Sequence, residues 1–404
     1  MNNIKIIFIL SHKLYDESSY KYGFQLLKDN GFAIELWDMI NLIYSKNKSM
    51  DISLNDNKKF ISGDTTIKKF RNIHEIENDL KRQNRKTYII FLNHSVNANV
   101  RPVIDLIEDN NIKYGYTFLN TLPSYNPNML SILKILLKKP NILFDKLKKR
   151  ITPVQHDNFA NISYYLNLNT YFAIYCGKNS KKRILNLFPN IKKLISVPAY
   201  DHEKFYENKK KLKIEGYTKK YAVFLCESNH EHPDHKMHDI NPVCDTNIYL
   251  YELNRFFKQL EEKYNIDVII SAHPKGIYNQ DSIYKGRKLI KNKIVDLVNQ
   301  SEFVMLHSSA SICMPILANK PIIVINSKNY TAGTAYLIEL MASSIGSKSI
   351  DISKENINLK IPIVNKMKYE KYITDNLMEN NSQIKSKIWE DFSKFILHDV
   401  ISNN

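Results

Sequence analysis

The sequence predicts an α/β protein with two doubly wound lobes that face each other across a cleft. Short apolar runs rich in β-branched residues alternate with helical patterns, which is typical of parallel strands covered on both faces. A lysine-rich stretch interrupts this alternation once, before the pattern starts again. The 404 residues suffice for two or three domains of roughly 150 residues each. We expect an N-terminal lobe over residues 1–205, a basic linker over 206–220, and a C-terminal lobe over 221–404 that includes a terminal helix.

The first lobe begins with Ile4–Leu10, a nearly continuous apolar run of the buried parallel type. A helix is predicted over about Ser18–Asn30, and Gly31 serves as its C-cap. Strands and helices then alternate as in a parallel sheet. The predicted strands are Phe32–Trp37, Thr87–Leu92, Lys113–Phe118, Tyr171–Tyr175 and Ile191–Val197, with helices at Glu75–Arg85 and Lys178–Leu187.

The second lobe repeats this alternation after the linker. Its long amphipathic helix is predicted over Asn247–Tyr264, and its terminal helix over about Gln383–Val400. The predicted strands are Tyr221–Cys226, Asp267–Ala272, Phe303–Leu306 and Pro321–Ile325, with short helices at Asn292–Gln300 and Ser311–Leu317.

The chain is strongly basic, since 58 Lys and Arg residues face 41 Asp and Glu residues and leave a net charge of +17. Such an excess favours an anionic partner: nucleic acid, an anionic membrane surface or a phosphorylated substrate. AT-rich codon usage is an equally good explanation of part of the charge, because the chain is crowded with Lys, Asn and Ile and has only 10 Gly. The charge alone therefore selects no function.

The cysteines predict a reducing, cytoplasmic location. They are widely spaced, without a C-x-x-C pair, which argues against a zinc ribbon or a disulfide framework. The N-terminal apolar run is short and broken by Lys5, unlike a signal peptide. No apolar stretch approaches the ~18 residues of a spanning helix, so we expect at most a peripheral position on the inner membrane face. The four cysteines are Cys176, Cys226, Cys244 and Cys313.

The first candidate motif is a strand that runs directly into His273, Pro274 and Lys275. Proline holds the preceding residue in an extended conformation, so the imidazole is expected at the carboxyl end of a parallel strand. There it can donate a proton or stabilise a leaving phosphate. The alternative is a structural histidine bonded to a backbone carbonyl.

The second candidate motif follows about thirty residues later, where the strand Phe303–Leu306 ends in His307, Ser308 and Ser309. Hydroxyl groups and backbone N–H groups at a helix N-terminus can hold a phosphate. An ordinary serine N-cap is the alternative. Together the two motifs favour a nucleotide-phosphate site in the second lobe.

These two motifs resemble GT-B glycosyltransferases that use CMP-activated sugars, such as bacterial sialyl-, polysialyl- and Kdo transferases of capsule or lipopolysaccharide biosynthesis. The resemblance covers roughly Tyr221–Ile325. It implies an inverting, metal-independent transfer of a nonulosonic acid or Kdo from a CMP donor to a surface glycan, without a cofactor. It also implies that His273 contacts the CMP phosphate and that Ser308 and Ser309 hold it. The adjoining motif residues Pro274, Lys275 and His307 are then expected in the donor site.

The general base is a separate question, because the acidic pair followed by glycine of such sialyltransferases is absent here. Glu227 directly follows the first strand of the second lobe and is the preferred candidate. Glu231 and Asp234 lie in the same loop, and Asp38 in the first lobe is a further alternative.

Other candidates have weaker patterns. Four histidines within residues 230–238 could bind zinc, but Pro233 breaks the helix that would align them, so we expect an acceptor-binding loop and no metal. Arg287 could bind a carboxylate or phosphate bidentately, or belong to a solvated basic turn. His12 and 93–95 follow strands of the first lobe and could contact the acceptor.

Two basic amphipathic segments, 129–139 and 143–150, suggest contact with a membrane surface or with lipid-linked glycans. Ordinary packed helices with lysine-rich outer faces explain them equally well. The alternative function that is closest in chemistry to a CMP-sugar transferase is a CDP-polyol phosphotransferase of the teichoic-acid type. A basic nucleic-acid-binding protein is disfavoured, because the lysines are scattered and no recognition module is present.

Overall fold

The structure is a computed structural model, which describes residues 4–10, 21–43, 65–92, 100–119, 168–208, 219–227, 243–273, 276, 283–380 and 386–402. The chain divides into two compact units. The first comprises Met1–Thr121, Thr152–Tyr200 and Met378–Asn404, and the second comprises Leu122–Ile151 and Asp201–Leu377.

The first unit is built on a seven-stranded parallel sheet with the order β3-β2-β1-β4-β5-β6-β7. Its strand order reverses between β1 and β4, as in a doubly wound fold. The strands are β1 Lys5–Leu10, β2 Ala33–Asp38, β3 Thr66–Lys69, β4 Thr87–Phe91, β5 Lys113–Phe118, β6 Phe172–Tyr175 and β7 Lys193–Ser196. The helices are α1 Phe24–Asp29, α2 Ile40–Ile43, α3 Ile73–Leu80, α4 Arg101–Asp109 and α5 Gly177–Leu187.

Both faces of this sheet are covered, as β1 illustrates. Side chains alternate between the two faces of a strand, and Ile7 and Ile9 belong to one buried apolar cluster. Phe8 and Leu10 belong to another on the opposite face. This double burial explains why the strand reads as a continuous apolar run.

The last helix also packs on the first unit, against the Phe8 face of the sheet. Trp389 and Phe392 lie in that cluster with Phe8 and Phe172. The Trp389 indole donates to the carbonyl of Lys21 at 2.8 Å. The prediction of a C-terminal lobe over 221–404 with its own terminal helix is therefore wrong, because the apolar face of this helix completes the first core.

The second unit contains a six-stranded parallel sheet with the order β10-β9-β8-β11-β12-β13. The longer part of this unit begins at Asp201, inside a helix. The predicted linker over 206–220 starts within the same helix, and residues 209–218 of it lie outside the described residues. The strands are β8 Tyr221–Leu225, β9 Asp267–Ala272, β10 Leu289–Lys291, β11 Val304–Leu306, β12 Ile322–Asn326 and β13 Ile350–Asp351. The helices are α6 Tyr200–Asn208, α7 Thr246–Tyr264, α8 Ile294–Gln300, α9 Cys313–Leu317, α10 Ala332–Ser344 and α11 Lys366–Tyr372, with α12 Ile388–Ser402 returning to the first unit.

The predicted α/β class with two doubly wound parallel sheets is confirmed. The strand order of the second sheet reverses between β8 and β11, so each unit has one switch point. The arrangement of the lobes across a cleft stays a prediction. None of the helices in the described ranges is long and apolar enough to cross a membrane.

Candidate active site

The candidate site lies at the carboxyl ends of β9, β8 and β11, where the second sheet changes direction. Register fixes this placement: Leu225 pairs with Ser271 on one side of β8, and Phe224 pairs with Met305 on the other. Glu227 is two residues beyond the first pair, as is His273, and three residues beyond the second pair, as is Ser308. The sheet therefore brings His273, Glu227 and Ser308 to one edge, the position at which open α/β sheets bind ligands.

Glu227 is joined directly to the end of β11 by hydrogen bonds. Its Oε1 accepts from the backbone N–H of Ser308 at 2.8 Å and from that of His307 at 3.3 Å. The Ser308 hydroxyl donates to Oε2 at 3.4 Å. The side chain is partly buried. A single carboxylate thus links the two strands on either side of the switch point.

The proton affinity of Glu227 is raised. Burial raises its pKa from the usual 4.5 to about 7, because the charged form loses solvation. Hydrogen bonds from the backbone amides of Ser308 and His307 stabilise the carboxylate and oppose this shift without cancelling it. Near neutral pH the group therefore exists in both protonation states, which suits a general acid or base.

The serine motif makes contacts that the sequence did not anticipate. The Ser308 N–H, expected to bind phosphate, donates to Glu227 in this structure. Ser309 begins the short 3₁₀ segment Ala310–Ile312, and its hydroxyl accepts from the Ser311 N–H at 3.2 Å. This is the ordinary N-cap contact that the sequence left as an alternative. Phosphate binding by Ser308 and Ser309 stays a prediction.

His307 does not present its ring to a ligand, because the residue is 0% exposed. Its Nδ1 is 2.9 Å from the carbonyl oxygen of Ile325, which can only accept, so Nδ1 carries the proton. Its Nε2 then accepts from the hydroxyl of Tyr249 at 2.9 Å. The Tyr330 hydroxyl lies 3.3 Å from the same nitrogen. The predicted donor contact of His307 can therefore involve only its backbone.

Burial also keeps this imidazole neutral. It lowers the pKa of His307 from 6.5 to about 4, against a smaller opposing effect of the bond to Ile325. The ring therefore acts as a fixed, uncharged support between β11, β12 and α7, and holds the strand end whose amides bind Glu227.

A second buried carboxylate shapes the loop after β12. Glu252 on α7 accepts from the Ser327 hydroxyl at 2.8 Å and from the Asn329 side-chain amide at 2.7 Å. This loop carries Tyr330, which contacts His307. Sequence reasoning missed Tyr249, Glu252 and Tyr330; the only signal was polar or aromatic residues at inward positions of a helix and after a strand.

His273 follows the end of β9 and is partly buried. Its carbonyl accepts from the Gly276 N–H at 3.0 Å, which closes a tight turn. Lys291 at the end of β10 donates to the Gly276 carbonyl at 2.8 Å. The predicted strand-end placement of His273 is confirmed, and its role at the phosphate stays a prediction.

Arg287 is occupied within the second unit. Its guanidinium makes two 2.7 Å bonds to the Glu261 carboxylate and one 2.9 Å bond to the Asn254 side chain. Its side chain is only 11% exposed. These contacts account for Arg287 without a ligand, and they correct the expectation of a solvated turn or a substrate clamp.

Several candidates fall outside the described residues, namely His12, 93–95, 129–139, 143–150, 228–242, Pro274 and Lys275. They include Glu231, Asp234 and the histidine cluster. Among the residues that the structure does describe, no group of three His, Cys, Asp or Glu side chains could hold a metal ion. All four cysteines are buried free thiols.

The first unit holds the alternative base and, separately, a small pocket. Asp38, the alternative base, is the last residue of β2; it is buried and accepts from the Ile40 N–H at 3.1 Å. Burial raises its pKa, against that hydrogen bond and the charge of Lys69. A small pocket opens near the ends of β4 and β5, lined by Lys21, Tyr22, Leu92, Thr117, Leu119, Tyr200 and Trp389.

No known family model matches the chain, and no curated protein does. Solved structures whose backbones align with this chain include the glycosyltransferase SnogD from Streptomyces nogalater. It has 7% identity over 100% of both chains and a TM-score of 0.45. The wall teichoic acid polymerase TagF has 13% identity over 99% of this chain and 90% of that chain, with a TM-score of 0.45. The UDP-GlcNAc 2-epimerase from Neisseria meningitidis has 12% identity over 96% of this chain and 100% of that chain, also with a TM-score of 0.45. Because these TM-scores lie below 0.5, we infer neither activity nor ligand from them.

Proposed function

We propose that this protein is an inverting, metal-independent glycosyltransferase that moves a nonulosonic acid or a Kdo-like sugar from its CMP donor to a surface glycan. The observation that supports this most is Glu227, a carboxylate at the switch point of a Rossmann-type sheet with a pKa near 7. Its neighbours His273 and Ser308 are the residues whose motifs resemble the CMP-sugar transferases. The buried free thiols suit the cytoplasm, the proposed compartment.

In the proposed reaction, Glu227 takes the proton of the acceptor hydroxyl as the oxygen attacks the anomeric carbon of the donor sugar. The bond from that carbon to the phosphate oxygen breaks, and its electron pair leaves with CMP. His273 and the Ser309 hydroxyl, which accepts from the Ser311 N–H and still has its own proton to donate, stabilise the charge that develops on the phosphate. Inversion follows from a single displacement without a covalent intermediate.

The rival with the most support is a CDP-polyol phosphotransferase. A nonulosonic acid carries a carboxylate, and an arginine near the reacting carbon would be its natural partner. Arg287 was the candidate for that contact, and its bonds to Glu261 remove it. The donors of the rival lack the sugar carboxylate and need no such arginine.

The experiment that tests the donor class is a thermal-shift series with CMP, CDP, UMP, UDP and GDP. A ligand stabilises the fold in proportion to RT ln(1 + [L]/Kd). UMP, UDP and GDP belong in the series as nucleotides without cytosine, against which a preference for cytidine can be measured. We expect the largest shift with CMP. A preference for CDP would support the phosphotransferase, and one for UDP would contradict a cytidine donor. Salt-sensitive DNA retention at physiological ionic strength, without a shift by any nucleotide, would instead favour the nucleic-acid-binding alternative.

The experiment that tests Glu227 is a comparison of Glu227→Gln with Asp234→Asn at saturating donor. The amide keeps an acceptor for the Ser308 N–H but cannot take a proton, so turnover should fall by about 10²–10⁴-fold. Donor binding should persist, because the carboxylate faces the acceptor. An inactive Asp234→Asn with an active Glu227→Gln would move the base along the loop. His273→Ala should also lower turnover by at least about 10²-fold, and wild-type turnover in that variant would contradict its role.

A further inference from the structure

A solvent-facing segment of the second unit, Lys360–Lys371, carries the two most exposed large apolar side chains of the described residues. Ile363 is 95% exposed and Met367 is 79% exposed. Single exposed apolar residues are common on protein surfaces, but here two lie four residues apart and stand out almost entirely into solvent. Their exposure therefore needs an explanation that ordinary surface composition does not give.

The segment is held in place on both sides, so its shape belongs to the fold. Before it, Leu359 is buried, and its carbonyl accepts from Lys263 at 2.7 Å and from the Tyr264 hydroxyl at 3.1 Å. Near its C-terminal end, Tyr369 is buried, and its hydroxyl donates to the carbonyl of Lys320 at 2.9 Å. Ile363 and Met367 lie between these two anchors.

The charge around these side chains has one dominant sign. Residues 360–371 contain four lysines and a single glutamate. Lys360, Lys366 and Lys368 are exposed, while Lys371 pairs with Asp375 at 2.6 Å. The turn at Gly346 packs against Lys368 and brings the exposed Lys348 into the same region. Two protruding aliphatic groups are thus surrounded by free-standing positive charge.

We propose that this surface, formed by Ile363, Met367 and the lysines at 348, 360, 366 and 368, docks on an anionic lipid bilayer. Exposed aliphatic groups enter the boundary between headgroups and acyl chains, and lysines bind the anionic headgroups beside them. A second copy of the chain is the poorer fit, because a symmetric contact would place lysines against lysines. The proposal is independent of the reaction at Glu227.

The test is co-sedimentation of the full-length protein with phosphatidylcholine vesicles, with or without about one third phosphatidylglycerol. The apolar variant is Ile363→Ser with Met367→Ser, and the charge variant is Lys366→Gln with Lys368→Gln. Ile401→Ser is the matched control, since Ile401 is 76% exposed but lies in the first unit. Unchanged melting temperatures show that the variants are folded.

We expect wild type and Ile401→Ser to bind the anionic vesicles and to lose binding in high salt. Each lysine near such a surface contributes about 5-fold in affinity, so the charge variant should bind roughly 25-fold more weakly. The apolar variant should weaken at least about 10-fold. Absence of wild-type binding overturns the proposal. So does binding of both variants at wild-type strength, which would place the contact elsewhere, or a change from dimer to monomer in the apolar variant.

Discussion

Two buried carboxylates in this protein have opposite proton affinities. Asp399 lies on α12 in the first unit and contacts the amino ends of strands, whereas Glu227 lies at the carboxyl ends of strands in the second. The pKa of Asp399 is lowered from its usual 3.8. The pKa of Glu227 is raised to about 7. The difference lies in their partners.

Asp399 is paired with a cation. Burial alone would raise its pKa, but hydrogen bonds from Lys113, Tyr171 and Tyr88 outweigh that effect. The Lys113 ammonium is 2.6 Å from Oδ2, and the two tyrosine hydroxyls are at 2.5 and 2.7 Å. The ion pair fixes the last helix to the sheet and leaves the carboxylate permanently ionised at neutral pH.

Glu227 has neutral partners only, among the residues whose contacts the structure gives. The backbone amides of residues 307–309 and the Ser308 hydroxyl bond to its oxygens, and the imidazole of His307 is itself uncharged. Neutral donors offset part of the desolvation but supply no full countercharge. An ion pair thus makes a carboxylate a structural contact, whereas amides alone leave it able to exchange a proton.

The largest effect should follow from breaking the ion pair. Asp399→Ala leaves Lys113 without its carboxylate in a largely buried position, which typically costs about 3–5 kcal/mol. Both tryptophans, Trp37 and Trp389, lie in the first unit. Urea unfolding followed by tryptophan fluorescence therefore measures this unit selectively.

The matched control is Glu390→Ala on the same helix, whose ion pair with Lys387 is solvent-exposed. It should change the free energy of unfolding by less than about 1 kcal/mol. Equal effects of the two substitutions would show that Asp399 is not a structural anchor.

A smaller effect should appear in the pH dependence of stability at Glu227. Between its ordinary pKa of 4.5 and its folded value of about 7, the folded chain holds a proton that the unfolded chain has lost. Stability therefore falls as pH rises through this range. Glu227→Gln lacks this group, so wild type should lose up to about 3 kcal/mol relative to the variant from pH 4.5 to 7.5.

The difference between wild type and Glu227→Gln isolates Glu227, because both proteins contain His307. The low pKa of His307 destabilises the fold of both as pH falls from 6.5 to about 4. Urea unfolding at each pH, followed by far-ultraviolet circular dichroism, measures this difference in the free energy of unfolding. Asp399 changes the stability of the first unit in the opposite direction. Its pKa is lowered, so its contribution to stability is lost as pH falls below its ordinary pKa of 3.8. A constant gap between wild type and Glu227→Gln would mean that Glu227 keeps an ordinary pKa.

The smallest effect should come from Ser308→Ala. The serine hydroxyl is 3.4 Å from Oε2, a long bond, so its loss should widen the same pH-dependent gap by only about 0.5 kcal/mol. The backbone N–H of residue 308 remains. An effect as large as that of Glu227→Gln would mean that the hydroxyl, and not the amides, controls the carboxylate.

The sequence predicted those strands whose residues are buried on both faces, because continuous apolar runs have no other common explanation. The edge strand Thr66–Lys69 was not predicted, because its four residues include two lysines and none is fully buried. The helix Ala332–Ser344 was not predicted either, because its apolar and small residues are spread around its circumference and leave no polar face.

At the candidate site, strand ends could be predicted but partners could not. The positions of Glu227, His273 and Ser308 follow from strand boundaries, which the apolar runs mark. The bond between Glu227 and the Ser308 amide depends on which strands are neighbours. The chain reverses its direction of strand addition between β8 and β11. A single sequence does not show where this reversal occurs. Arg287 was misjudged for the same reason, because its partner Glu261 is 26 residues away.

The contact between α12 and the first sheet has a consequence for biosynthesis. Gly23, at a φ of 61°, lies directly under the Trp389 ring, where a Cβ atom would come within 2.3 Å. The ring reaches this place only after about 190 residues have been made beyond the last strand of the first sheet. At ~5–20 residues per second on the ribosome, the part of the Phe8 face that α12 covers stays exposed for roughly 10–40 s. The nascent first unit therefore exposes apolar core residues, the kind of surface that chaperones bind, until α12 has left the ribosome.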